Sequence, residues 1–429
     1  MKTPWYQKLF DVWKNRELRK KILFVLLIFA VFRALTVVPI PGVDLEQLQA
    51  FFAQSEFMGF FNLLTGGALS NFSIVMLGMG PYITAVIILQ LGTMIFPALE
   101  RLYRDEGETG RRKFNQYGRM LTVPLALLQG YAMIALFQNQ GIIEAFSPSM
   151  LIGALITVTA GAVILMWLGE MITERGIGNG VSLMIFAGIV AGMPMSLAQL
   201  VADWSIEMLP TLLVFIGASL LIISLVVLVN EGKRNIPVSY TKRVRGMKMY
   251  GGTTTYLPLN VNPAGVLPII FALAVMSFPQ MISQFWLDSP NGILAGIAGG
   301  LDALLANPWL YSLVYFLLII AFTYFYTAVT FEPDKISENL QKSGAFIPGV
   351  RPGQPTSQRL NYILKRCLFV GALFLGFIAL VPSIIQGLTG IDAFQFMIGG
   401  TSLLIMVAVI MDTLRQIQAQ MKVRDYENF

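Results

Sequence analysis

Long apolar stretches alternate with short polar segments along the whole chain. Many of these stretches are about 20 residues long and almost free of charge, which is the length a helix needs to cross a membrane. Hydropathy predicts ten spans, near residues 21–40, 72–97, 116–137, 151–172, 182–202, 209–230, 264–286, 309–331, 362–385 and 398–418. The pattern therefore predicts an all-α polytopic membrane protein.

The first of these spans is expected to stay in the protein. Residues 1–21 are polar and basic and run directly into an apolar stretch that is too long for the core of a signal peptide. A turn with two prolines follows at residues 38–42, without a small-residue cleavage site. The second span is preceded by a short Gly-rich piece, residues 62–71, which must be buried in protein or line a cavity if it lies at membrane depth.

Composition supports a membrane protein and narrows the chemistry. Of the 429 residues, 55% are hydrophobic and 13% are charged, against about 25% charged in soluble domains. The chain has no histidine and one cysteine, Cys367, which excludes His-based catalysis, imidazole metal sites and intramolecular disulfides. There is no Gly-rich phosphate loop ending in Gly-Lys-Ser/Thr. We expect no enzymatic activity, no cofactor and no metal, so any energy for work comes from a partner or a gradient.

The charged residues sort by side of the membrane. In the ten-span arrangement, 29 of the 30 basic residues lie in segments on one side, and the loops on the other side carry nine acidic residues and no basic one. Cytoplasmic loops carry an excess of Lys and Arg. Both termini are therefore predicted to be cytoplasmic. The remaining basic residue, Arg33, lies within span 1.

The span count divides the chain into two halves, residues 1–203 and 204–429. Five spans are an odd number, so the second half enters the membrane inverted relative to the first. Inverted repeats usually place a functional path at their interface near the midplane, often beside broken helices. Gly- and Pro-containing breaks occur at corresponding places, in residues 77–83 of span 2 and 262–271 of span 7.

Apolar side chains are the main candidates for this path. The span interiors are nearly uncharged, which disfavours an ion-coupled site. Met79 and Ile83 are four residues apart, as are Val181 and Ile185, so each pair faces one way on its helix. Such groups can close a pore by dewetting, although ordinary helix packing explains the spacing equally well. From the residues alone, a channel, a small-molecule secondary transporter and an intramembrane enzyme stay open, although the enzyme lacks a buried acid–base pair.

Five long segments of unusual composition carry a resemblance. They are GGALSNFSIVMLGMGPYITAVIILQ (66–90), EGETGRRKFNQYGR (106–119), WLGEMITERGIGNGVSLMIFAGIVAG (167–192), KSGAFIPGVRPGQPT (342–356) and GGTSLLIMVAVIMDTLRQIQ (399–418). Through them, and over essentially its whole length, the chain resembles the bacterial SecY family, the central subunit of the Sec protein-conducting channel. The resemblance implies an hourglass channel between the two halves.

The resemblance also assigns sites to positions of this chain. The pore ring corresponds to Met79, Ile83, Val181, Ile185, Ile270 and Ile405. A plug helix corresponds to about residues 60–72, with its centre at Asn62, Leu63, Leu64, Thr65, Gly66, Gly67, Ala68, Leu69 and Ser70. The lateral gate corresponds to Thr84 and Ile87 in span 2, which face Phe278 and Ile282 in span 7. Docking of SecA or the ribosome is implied for Lys242, Arg243, Arg245, Lys248 and Arg351, in the loops at 230–262 and 332–361.

The function implied by the resemblance is passive protein transport. A channel of this kind moves secretory polypeptides across the bacterial plasma membrane and releases membrane-protein helices laterally into it. SecA or the translating ribosome supplies the drive. The implied partners are SecE and SecG, SecA, the ribosome through its RNA, signal peptides, nascent chains and preproteins, and membrane lipids.

Overall fold

The computed structural model describes residues 14–41, 48, 62, 65–143, 146–202, 209–240, 243–245, 248–250, 254–286, 292–389 and 400–427. This part of the chain is mostly helical. Its helices are α1 (Arg16–Val37), α2 (Gly80–Ile95), α3 (Pro97–Arg104), α4 (Gly107–Asn139), α5 (Pro148–Arg175), α6 (Gly180–Ala202), α7 (Leu209–Glu231), α8 (Leu267–Trp286), α9 (Gly292–Ala306), α10 (Pro308–Thr330), α11 (Pro333–Lys342), α12 (Gln354–Thr389) and α13 (Gly400–Glu427).

A helix lies at each of the ten predicted spans. By length and composition, five described helices can cross a membrane, or six if α2 and α3, which meet at a bend of 109°, form one span. The all-α polytopic class is therefore confirmed. The count of ten membrane crossings stays a prediction.

Local sequence explains where several helices begin and end. Ser147 accepts a hydrogen bond from the amide of Met150 and Asn307 accepts one from the amide of Trp309, and a proline opens the helix after each. Between α5 and α6, Gly178 has φ +94°, a left-handed conformation that suits glycine. The two helices are thereby separated by a tight break between Arg175 and Gly180.

The starts of α2 and α8 differ from the predicted span starts. Residues 65–72 and 74–79 form turns on either side of a bridge from Ser73 to Pro39, so α2 begins at Gly80 rather than near residue 72. Of the described part of the predicted plug helix, Asn62 is helical and residues 65–72 are not. The reason is local: Phe72 and Gly78 have φ of +42° and +56°, which no right-handed helix accommodates. Helix α8 likewise begins at Leu267, after Gly265 at φ +64°. Both predicted breaks therefore exist, while the inverted relation of the two halves stays a prediction.

Backbones approach closely where small residues meet. A Cβ on Gly161 of α5 would lie 1.9 Å from the carbonyl oxygen of Ile74, and one on Gly180 of α6 would lie 1.7 Å from that of Gly169. Glycine is needed at both places because any side chain would collide with backbone. Small residues serve this purpose at many membrane helix contacts.

Apolar side chains are divided between the interior and the outer surface. A central cluster joins α1, α2, α5, α6, α7, α8, α10, α12 and α13, and a second cluster packs Phe72 against Phe137 and neighbouring side chains of α4 and α5. Large apolar side chains also cover the outside, among them Leu27, Leu128, Ile156, Leu220 and Phe377. An outer surface this apolar suits lipid rather than water.

A small antiparallel sheet, which hydropathy did not predict, lies beyond the helices. Strand β1 (Lys233–Tyr240) pairs with β4 (Thr254–Asn260) on one side and with β5 (Ala345–Phe346) on the other. Ile236 and Val238 point from β1 into a minor core with Leu259, Ile347 and Leu360. Strands β2 (Arg243–Arg245) and β3 (Lys248–Tyr250) form a separate hairpin. The two predicted cytoplasmic loops are thereby joined into one folded unit.

Candidate functional site

The helix starts described above surround a cavity at the centre of the bundle. Its volume is about 80 Å³, and side chains from α2, α4, α6, α8 and α13 line it together with Thr65 of the turn segment. The lining residues are Thr65, Leu77, Met79, Gly80, Ile83, Thr84, Gln129, Met133, Ile185, Ile270, Leu273, Ala274 and Ile405. Helices from residues 1–203 and from 204–429 therefore meet at one apolar space.

Five of the six residues predicted for the pore ring line this cavity. They are Met79, Ile83, Ile185, Ile270 and Ile405. Val181, one turn before Ile185, instead packs half-buried against the central cluster. The structure thus brings together side chains that are up to 326 positions apart in the sequence, from Met79 to Ile405. Their role as a pore ring stays a prediction.

The size and lining of the cavity determine what it can hold. A space of about 80 Å³ exceeds the minimum volume that one water molecule needs. Its walls offer few hydrogen-bond partners, and apolar constrictions of this kind empty of water readily.

Three polar side chains, those of Thr65, Thr84 and Gln129, interrupt the apolar lining, and the last two contact each other. The amide Nε2 of Gln129 on α4 donates to Thr84 Oγ1 on α2 over 3.4 Å, and both residues are buried. The sequence analysis predicted Thr84 at the lateral gate but missed Gln129. An amide inside an apolar span is costly unless it has a partner, and this was the signal that could have identified it.

The predicted lateral gate lies beside the cavity. Thr84 and Ile87 are buried on α2, which contacts α8. Phe278 is half-buried on α8, and the side chain of Ile282 lies outside the described residues. The two helices predicted to form the gate are therefore neighbours, while the gating role is not tested.

The predicted plug lies against the same cavity. Thr65 lines it, and Ala68 and Leu69 are fully buried beneath it. Asn62 Oδ1 accepts from the amide of Ser70 over 2.8 Å, which closes the segment on itself. Gly66 and Gly67 have φ of +71° and +80°. Leu63 and Leu64 lie outside the described residues.

The predicted docking residues fall on two surfaces. Arg243, Arg245 and Lys248 belong to the β2–β3 hairpin, in which Arg245 pairs with Lys248, while Lys242 lies outside the described residues. Arg351 is exposed on the turn between β5 and α12, and its carbonyl oxygen accepts from Thr356 Oγ1 over 2.8 Å. Prolines on either side of Arg351 and left-handed glycines restrict this turn to one compact shape.

Comparison with solved structures identifies the fold. A structure of a protein-conducting channel matches with a TM-score of 0.62 and 19% sequence identity, covering 92% of this chain and 91% of the other. Sec61 in the canine ribosome–channel complex from the endoplasmic reticulum matches with a TM-score of 0.58 and 18% identity, covering 92% and 91%. These matches place the protein in the class of helical proteins that have the fold of the protein-conducting channels.

Comparison of sequences narrows the class to one family. The SecY family model matches residues 73–414. The protein translocase subunit SecY of Streptomyces scabiei is 42% identical over 97% of this chain and 98% of its own length. That of Thermus thermophilus is 43% identical over 96% and 95%. The chain belongs to the SecY family. It is a non-enzymatic subunit of a membrane channel for protein translocation, as the resemblance implied.

Proposed function

We propose that the central cavity lies on the path of secretory polypeptides through this channel. One observation carries the proposal: in a chain of the SecY family, apolar side chains from both halves converge on a single cavity. Met79, Ile83, Ile185, Ile270 and Ile405 form the ring that seals the path, with Val181 at its edge. The segment from Asn62 to Ser70 is the plug beside it.

The boundary between α2 and α8 is the proposed side exit for membrane helices. The apolar core of a signal peptide gains about 0.3 to 0.6 kcal/mol per Leu, Ile, Phe or Val on entering lipid. A gate lined by Thr84, Ile87, Phe278 and Ile282 gives such a segment access to the bilayer. The two halves, 1–203 and 204–429, move apart along this boundary.

The energy for movement comes from outside the chain. SecA or the translating ribosome docks on the sheet-bearing surface, where Lys242, Arg243, Arg245 and Lys248 pair with RNA phosphates or acidic side chains and Arg351 engages the motor. The related Sec61 was solved in a ribosome–channel complex, which supports the ribosome as a partner. SecE and SecG complete the channel.

The distribution of charge supports an orientation. With 29 of 30 basic residues on one side of the ten-span arrangement, both termini and the sheet face the cytoplasm of a bacterial cell, and the channel spans the plasma membrane. The outer loops, which carry acidic residues only, face the exterior.

Crosslinking to a stalled secretory chain tests the proposed path. Photoreactive probes at Ile83 and Ile270, which line the cavity, should crosslink to the arrested chain. Probes at Ile152 and Leu220, which are exposed on the outside of α5 and α7, are matched controls and should react with lipid instead. Crosslinks from the outer positions but from neither cavity position would place the path elsewhere and contradict the proposal.

A further inference from the structure

Arg33 is the one basic residue of the 30 that the ten-span arrangement does not assign to the basic side of the membrane, and the structure gives it a specific contact. Its Nη1 donates a hydrogen bond to the carbonyl oxygen of Gly66 over 2.8 Å. Among the described residues, no carboxylate lies within salt-bridge distance of its guanidinium. Arg33 is an exposed residue, and its charged guanidinium forms a stronger hydrogen bond to a backbone oxygen than a neutral donor does.

Gly66 lies in close contact with helices α1 and α6, where the plug meets the helix bundle. A Cβ at this position would lie 3.2 Å from Cα of Gly188 on α6 and 3.4 Å from the ring of Phe32 on α1. Its neighbour Thr65 lines the central cavity. The bond from Arg33 therefore holds the part of the plug that touches the cavity.

The other end of the plug is fixed by different means. The amide of Ile40 donates to the carbonyl of Phe72 over 2.9 Å, and the amide of Ile74 donates to the carbonyl of Val38 over 3.1 Å. The ring of Phe72 is fully buried and meets Phe137 edge-on, with centroids 5.9 Å apart. If the plug moves, it moves at the Gly66 end, where the hydrogen bond to Arg33 has to break.

We propose that Arg33 is a positioning residue that latches the Gly66 end of the plug in its closed position. This inference rests on the plug assignment of the proposed function. The latch holds while the channel is idle and releases when a polypeptide displaces the plug. The positive charge of Arg33 in span 1 thus raises the free energy needed to displace the plug and open the channel.

Thiol labelling of the plug tests the latch. Since Cys367 is the only cysteine, Cys367→Ser gives a cysteine-free background, and Ala68→Cys then places one thiol in the buried plug. Arg33→Gln should raise the rate of labelling by a membrane-impermeant maleimide about tenfold, the ratio expected from losing one charge-assisted hydrogen bond. Arg19→Gln, at an exposed arginine of the same helix, is the matched control and should leave the rate unchanged. Equal rates for the two variants would overturn the latch.

A deletion separates the latch from the plug assignment. Removing residues 65–70 should raise ion leak in reconstituted vesicles, and Arg33→Gln should add nothing in that background. No leak after the deletion would contradict the plug assignment itself. If the deletion leaks and Arg33→Gln raises the ion leak further in the deleted background, Arg33 acts on the helix bundle and not through the plug. Arg33→Lys keeps the positive charge but replaces the guanidinium with a single ammonium group, and it should give an intermediate labelling rate. If Arg33→Lys and Arg33→Gln label equally fast and both channels assemble poorly, the effect is one of assembly, and this result would also count against the latch.

Discussion

At the scale of single residues, the seal of the cavity depends on individual apolar side chains, and Ile405 is one of them. Ile405 is completely buried and lines the cavity opposite residues of α2 and α8. Among the described residues that line the cavity, the only polar side chains are those of Thr65, Thr84 and Gln129. The apolar character of position 405 is therefore a direct determinant of the seal.

Ile405→Asn should weaken this seal. An amide in an apolar cavity without a full set of hydrogen-bond partners costs about 1–3 kcal/mol. Water that enters the cavity and hydrates the amide removes this cost. The population of the water-filled cavity relative to the dry cavity therefore rises about tenfold. We expect higher ion leak in reconstituted vesicles and export of preproteins with defective signal sequences. Ile405→Val, which stays apolar, should behave as the wild type. Wild-type leak and wild-type signal stringency in the asparagine variant would show that Ile405 is not part of the ring.

At the scale of elements, glycines determine how closely helices and turns approach. Two of the three glycines of helix α5, Gly153 and Gly161, are eight residues apart and have opposite surroundings. Gly161 touches the backbone at Ile74, whereas Gly153 has open space where its side chain would be. The contact at Gly161 supports the turn segment that precedes α2, and through it the position of Met79 at the cavity.

Gly161→Ala should destabilise the protein while Gly153→Ala should not. The added methyl group at position 161 collides with backbone at 1.9 Å and forces a shift that costs about 1–3 kcal/mol. At position 153 the methyl group faces open space and favours the helix by up to about 1 kcal/mol. Denaturant unfolding of the two purified variants measures the difference. Equal stabilities would mean that the close approach of α5 to residue 74 is absent in the folded protein.

At the scale of the whole molecule, reciprocal contacts join the two halves on the sheet-bearing side. Arg104 at the end of α3 donates from Nη2 to the carbonyl of Ala328 in the last turn of α10 over 3.2 Å. Lys335 of α11 donates from Nζ to the carbonyl of Arg104 over 2.9 Å. Each side chain satisfies a free carbonyl at the end of the other half's helix. Motion between the halves has to change these contacts, which lie on the side proposed to dock the motor.

Arg351→Glu should uncouple the motor from the channel without unfolding it. The side chain is exposed on a rigid turn, so reversal of its charge meets the partner and not the core. A like-charge contact costs several kcal/mol, and SecA-dependent export should fall about tenfold or more. Arg112→Glu, which reverses an exposed arginine in the other half, is the control and should have a small effect. Loss of the folded complex in the Arg351 variant would instead make this arginine structural.

Hydropathy predicted the positions of the membrane helices but neither the start of α2 nor the small sheet. It located a helix at all ten spans, because burial of apolar side chains and the need to pair backbone groups in lipid both act along the local sequence. It placed the start of α2 eight residues too early, because turns at residues 72–79 are as apolar as the helix that follows. It missed the sheet, whose strands pair residues as distant as Ser239 and Phe346.

The sequence alone determined the membrane class, the one-sided distribution of charge and, through its resemblance, the family. These properties are written in composition and local pattern, which do not depend on how helices pack. Only the tertiary structure decided that Ile185 and Ile405 line one cavity while Val181 does not. Only the tertiary structure showed that the guanidinium of Arg33 donates to the carbonyl oxygen of Gly66. Such contacts depend on helix rotation and on backbone turns, which arise from the packing of the whole bundle and leave no periodic trace in the chain.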